Sequence, residues 1–159
     1  MTRTALASLL LAGCAGAGAA QGPTPSTGPT IAVAPDTRVA AASTLTVTGN
    51  GFDTTKGIYV AYCVQAQPGE PPTPCGGGVD TTGETASSAW VSSNTPPYGK
   101  DLAVAYGPNG SFEVTVRATA RIGDYDCWEV TCGVATRADH TRSSDRTQDV
   151  FIPITFEEN

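Results

Sequence analysis

The chain is short of charge and short of the residues that do most chemistry. Only 15% of its 159 residues are charged, with one His and one Met. A lone His140 cannot build a multi-histidine metal site, and a hydrolytic triad would have to recruit it from an arginine-rich loop. No serine stands in a G-x-S-x-G context. No cysteine pair has the C-x₂-C spacing of a zinc knuckle or a thioredoxin-type centre. The apolar run from Ala5 to Ala12 is too short to span a bilayer. Apart from Ala, good helix formers are scarce. Together these absences argue against a metal site, a redox enzyme and a triad hydrolase, and no catalytic residue is assigned.

What is present points to strands. Gly (18) and Pro (12) are plentiful and Ala is abundant, while the abundance of Thr and Val, with Gly and Pro for turns, is what an all-β domain needs. The length suits one domain. Nine basic against fifteen acidic residues leave a net charge of −6, and loss of a leader containing Arg3 takes it to −7. Bulk charge therefore offers nothing to a polyanion, and direct nucleic-acid binding is not expected.

The start, "MTRTALASLLLAGCAGAGAAQG", places Arg3 before an apolar run and then small residues. It reads as a secretory signal over residues 1–20. Leu11-Ala12-Gly13-Cys14 also resembles a lipoprotein lipobox, which would acylate Cys14 and tether the chain to a membrane. Cleavage after Ala20 is the alternative and would release it. Two or three acyl chains would hold far more firmly than one. Residues 21–29, "QGPTPSTGP", have nothing to bury and read as a tether.

Strand alternation begins at residue 30, in "TIAVAP", "STLTVTGNGF" and "GIYVAYCV". Leu45 and Val47 point one way, Thr46 and Thr48 the other. Residues 65–100 break the pattern with six prolines and a Gly triplet, forming a long irregular insertion with a short strand expected near 89–92. Order returns with Leu102 and Val104, a turn at 107–110, and alternation of Phe112, Val114 and Val116. The chain closes with "VFIPITF", where Pro153 argues for a sheet edge or a bulge. Seven to nine short strands with regular turns describe a two-sheet sandwich over residues 30–159.

Five cysteines are an odd number for an exported chain. Giving Cys14 to lipid leaves Cys63, Cys75, Cys127 and Cys132, which suits two disulfides in an oxidising compartment. A bridge within "DYDCWEVTC" would close a tight hairpin and contribute about 2–3 kcal/mol at most through chain entropy. A bridge from Cys63 to Cys75 would contribute roughly 3 kcal/mol and pin one end of the irregular insertion.

The layout "TIAVAP…LTVTGNGF…GIYVAYC…C…NGSFEVTVRATA…DCWEVTCGVATRAD…VFIPITF" resembles the neocarzinostatin-type proteins of actinobacteria over about residues 30–156. The most specific likenesses are Gly110-Ser111 leading into Thr115-Val116-Arg117, Asp126-Cys127 with Cys132 five later, and a closing strand ending in Phe156. The resemblance implies an immunoglobulin-like, seven-stranded antiparallel β-sandwich with two local disulfides, Cys63–Cys75 and Cys127–Cys132. It also implies a cleft that holds a hydrophobic chromophore of the enediyne type. Trp90 with Ser92-Ser93 matches a pocket aromatic and its polar neighbours, and Tyr125 is the one stand-in for missing aromatic clamps. Gly133 and Arg137 replace polar residues of the family pattern. The closing stretch "CGVATRADHTRSSDRTQDVFIPITF" also resembles modules on actinobacterial envelope proteins, some tied to haem uptake.

Other readings stay open at this level. Trp90 lines a cleft or covers a sheet edge, and Trp128 is read as packing. His140, Arg142 and Arg146 form either a polar contact loop or a solvated loop neutralised by Asp139, Asp145 and Asp149. The expectation is a non-enzymatic, extracytoplasmic, lipid-anchored binding or envelope-scaffold module without a cofactor. The alternatives are a carrier of a hydrophobic small molecule, enediyne-type or haem-like, and a protein-interaction domain that meets an envelope protein.

Overall fold

The structure, a computed structural model, describes residues 1, 28–77 and 85–157. The leader, the lipobox with Cys14 and nearly all of the tether lie outside the described residues. Two sheets carry the domain. One has β1 (Thr30–Ala34), β2 (Thr44–Asn50) and β6 (Phe112–Arg117) in the order β1-β2-β6. The other has β3 (Ile58–Val64), β4 (Ser88–Val91), β5 (Ala103–Val104), β9 (Cys132–Ala138) and β10 (Val150–Pro153), ordered β10-β9-β3-β4-β5. Strands β7 (Arg121–Ile122) and β8 (Tyr125–Asp126) make a separate small hairpin.

The sandwich follows from period-two patterning. Along β2, Leu45 and Val47 are buried while Thr44, Thr46, Thr48 and Asn50 are exposed. From the facing sheet Ile58, Val60, Tyr62 and Val64 on β3 meet them, with Val134 of β9 and Val91 of β4. Burial of these side chains between the layers is the main driving force for the fold.

Strand β3 is buried on both faces. Its other face carries Tyr59, Ala61 and Cys63, and Ala61 and Cys63 pack in a second cluster with Ala135, Phe151 and Cys75. Two small residues and a half-cystine on a sheet's outer face need a cover, and the chain after β3 supplies part of it. Val64 N–H donates to Pro74 O at 3.0 Å and Gly76 N–H to Tyr62 O at 2.8 Å. Residues 74–76 thus take the place beside β3 that β4 is too short to fill, and the Cys63–Cys75 disulfide fastens them there.

The second disulfide joins Cys127 and Cys132, but it does not close a hairpin between two paired strands. β8 pairs with β7, and β9 pairs with β3. The intervening residues form a turn in which Glu129 and Val130 N–H both donate to Asp126 O. The bridge therefore fastens the small hairpin to the main sheet.

Two further differences have simple causes. The run around Leu102 and Val104 yields only the two-residue β5, paired parallel to β4, and both side chains are partly exposed. The closing strand ends at Pro153, on the sheet edge where a missing N–H costs nothing. Beyond it the chain crosses to the other layer, where Val39 N–H donates to Thr155 O and Phe156 bridges to Val39.

Candidate ligand cleft

The outer face of the five-stranded sheet forms the floor of a cleft. Register places Trp90, Tyr59 and Arg137 in one row across β4, β3 and β9, and Ser88, Ala61 and Ala135 in the next. The cleft, about 350 Å³ and mostly carbon-lined, is bounded by Tyr59, Ala61, Cys75, Ser88, Arg137, Ala138, Asp139, His140 and Ser143. One wall is the disulfide-held loop. The other is an aromatic cluster at the end of β9.

That cluster is tied together by a buried carboxylate. Asp139 is 2% exposed. Its Oδ2 accepts from Trp90 Nε1 at 3.0 Å, and its Oδ1 accepts from Thr141 N–H at 2.9 Å and from the Thr141 hydroxyl at 2.6 Å. A carboxylate this buried is tolerable only when hydrogen bonds of this kind replace its water. The indole is thereby fixed, and it is buried beneath its neighbours. Gly99 lies so close that a Cβ there would fall 2.2 Å from Trp90 Cζ3. This absence of a side chain lets the turn Pro97–Gly99 settle on the ring, with Tyr98 stacked at 6.5 Å.

His140 sits between two tyrosines. Tyr59 Oη is 2.6 Å from its Nδ1 and Tyr98 Oη 2.8 Å from its Nε2. The imidazole also meets the indole edge-on at 5.4 Å. Each hydroxyl can donate or accept, so both ring nitrogens are engaged whichever tautomer is present. Burial, helped by the Asp139 charge, pushes the Tyr59 phenol above its usual pKa and keeps it neutral.

The residues singled out from sequence separate here. Arg137 and His140 line the cleft. Trp90 stands behind its wall and also borders a second groove with Leu102, Val104 and Glu113. Gly133 lies under the Phe151 ring, and a Cβ on it would fall 2.2 Å from Ile152 O. Tyr125 is on the small hairpin, 45% exposed, and does not border the cleft. Arg142 donates to Thr55 O, while Arg146 pairs with Asp149 at 2.9 Å, so these two charges are used within the loops. Among the described residues no group of His, Cys, Asp and Glu could hold a metal ion, and no helix is long and apolar enough to cross a membrane.

Sequence reasoning missed Tyr98 and the part played by Asp139. Nothing local marks Tyr98, which reaches His140 across 42 positions. A signal for the cleft itself did exist: the alternate positions Tyr59, Ala61 and Cys63 lack the polar residues that a solvated sheet face carries.

No family model matches the chain, and no curated protein matches it. Among solved structures, macromomycin superposes with a TM-score of 0.53 at 16% identity, covering 80% of this chain and 98% of that one. The two share a fold. That agrees with the all-β sandwich and its two disulfides, and it relates the chain to neocarzinostatin-type apoproteins at the level of fold.

Proposed function

We propose that this protein is a non-enzymatic binding module that holds a hydrophobic small molecule in the cleft over Tyr59, Ala61 and the Cys63–Cys75 disulfide. The observation that carries the reading is the cleft itself, an open, mostly apolar space of about 350 Å³. That size falls within the range of small-molecule sites, and its walls are rigid. The floor is a sheet, one wall is disulfide-bonded and the other is braced by Asp139. The family resemblance, with its chromophore-holding cleft, supports the same reading. Arg137 and His140 belong to this site and Trp90 braces its wall, whereas Tyr125 and Gly133 do not border it.

Two disulfides suit an oxidising, extracytoplasmic compartment. The lipobox reading adds an acyl anchor on Cys14, which would keep the cleft at the cell envelope. Titration of the purified, disulfide-bonded protein with haem and with polycyclic aromatic compounds tests the proposal, with tryptophan fluorescence as the signal. Saturable quenching is expected from at least one class, and a flat response to all would remove the carrier reading.

A second reading rests on the exposed Leu102 and Val104, which border a groove beside β6. These suit contact with another envelope protein, and loss of that contact on Val104→Asp would be its test.

A further inference from the structure

We infer that the cleft selects an acidic ligand, a planar hydrophobic molecule whose carboxylate or similar anion is received by Arg137. The inference rests on the small-molecule reading of the cleft and adds to it a chemical class.

Arg137 lies on β9 directly opposite Tyr59, so its side chain shares the cleft face of the sheet. A guanidinium carries five N–H donors in a fixed fork. Among the described residues this one makes a single hydrogen bond, from Nη1 to Pro72 O at 3.2 Å, and its buried Nε has no acceptor. It forms no ion pair among those residues, whereas Lys56, Arg121 and Arg146 are each held by a carboxylate within 2.9 Å. A partly buried guanidinium with its Nε closed off and unpaired carries a desolvation cost. A ligand anion in the cleft would accept from the Nη donors that Pro72 leaves free, through charge-assisted bonds.

Among the described residues no carboxylate is within ion-pair distance of Arg137. Asp139 borders the cleft, but Trp90 and Thr141 occupy both its oxygens. Asp149 Oδ2 is held by Arg146, and although its charge is felt by Arg137, its buried Oδ1 makes no hydrogen bond to the guanidinium. The net charge of −6 repels an acid approaching from bulk solvent. A preference for acids must therefore arise locally at Arg137, and moderate salt should not abolish it as it would a long-range attraction.

The test compares anthracene carboxylate with anthracene methanol, nearly equal in shape and different in charge, by calorimetry on the purified, disulfide-bonded protein at neutral pH. The acid is expected to bind about tenfold tighter or more. Arg137→Gln should erase the difference by weakening the acid alone, and Arg137→Lys should keep part of it. If Arg137→Gln does not fold, the wild-type pair together with Arg137→Lys decides. Equal affinity of acid and alcohol for the wild type, or a preference that survives in Arg137→Gln, overturns the role of Arg137 while leaving the cleft a small-molecule site. Binding of neither compound overturns both.

Discussion

Replacing Asp139 and Trp90 separately and together tests whether one buried hydrogen bond braces the cleft wall. The bond from Trp90 Nε1 to Asp139 Oδ2 is 3.0 Å long, and its residues are 9% and 2% exposed. Solvent screening is therefore small, and a bond of this kind to a charged acceptor contributes about 1.5–3 kcal/mol. Asp139→Asn puts an NH₂ group where one of three donors now points, so one bond must be lost, at about 2–3 kcal/mol. Trp90→Phe removes the N–H and part of the ring that packs on Tyr98 and Gly99, at a cost of about 2–4 kcal/mol. The double mutant should recover about 1.5 kcal/mol relative to the sum, since each change removes the same bond. Urea unfolding followed by far-UV circular dichroism measures all four species, because the signal does not depend on Trp90. A coupling energy below about 0.5 kcal/mol would refute the reasoning and reduce the contact to packing.

Burial pushes the Asp149 carboxyl above its ordinary 3.8, against the opposing pull of Arg146 and Arg137. The folded state therefore holds a proton more tightly than the unfolded state there, and stability falls as pH rises from that value through the folded pKa. Asp149→Asn should gain stability relative to wild type across that window, and urea midpoints at acidic and neutral pH would show the gap widening with pH. Gly133→Ala would drive a Cβ into Ile152 O on β10, so it should cost about 2–3 kcal/mol, seen as a lower melting temperature. If Cys14 carries the anchor, Cys14→Ala should leave unprocessed precursor or release protein to the medium on fractionation, and normal membrane retention would contradict the lipobox reading.

The sandwich was legible because its strands alternate cleanly where one face is buried, as on β2 with Leu45 and Val47 against Thr46 and Thr48. The all-β class and the two disulfides followed from composition, cysteine count and resemblance. Leu102 and Val104 misled because alternation alone cannot reveal that little backbone is available to pair with. The tight cysteine pair looked like a hairpin closure because spacing gives loop length and not the partner of each strand. At the site, Arg137 and His140 were visible as residue types, but Asp139 read as one of several neutralising acids. Its bond to Trp90 spans 49 positions, and no local pattern encodes such a contact. Arg146 was set beside His140 by sequence proximity, yet Asp149 draws it into a loop ion pair.

The central claim is that the outer face of the five-stranded sheet is a binding surface for hydrophobic small molecules. Amide chemical-shift mapping on the isotopically labelled protein during titration with a polycyclic aromatic ligand tests it most directly. The account predicts saturable shifts concentrated at Tyr59, Ala61, Cys75, Ser88, Ala138 and His140, the residues around the cleft. Shifts confined to the groove beside Leu102 and Val104, or no saturable shifts, would contradict it.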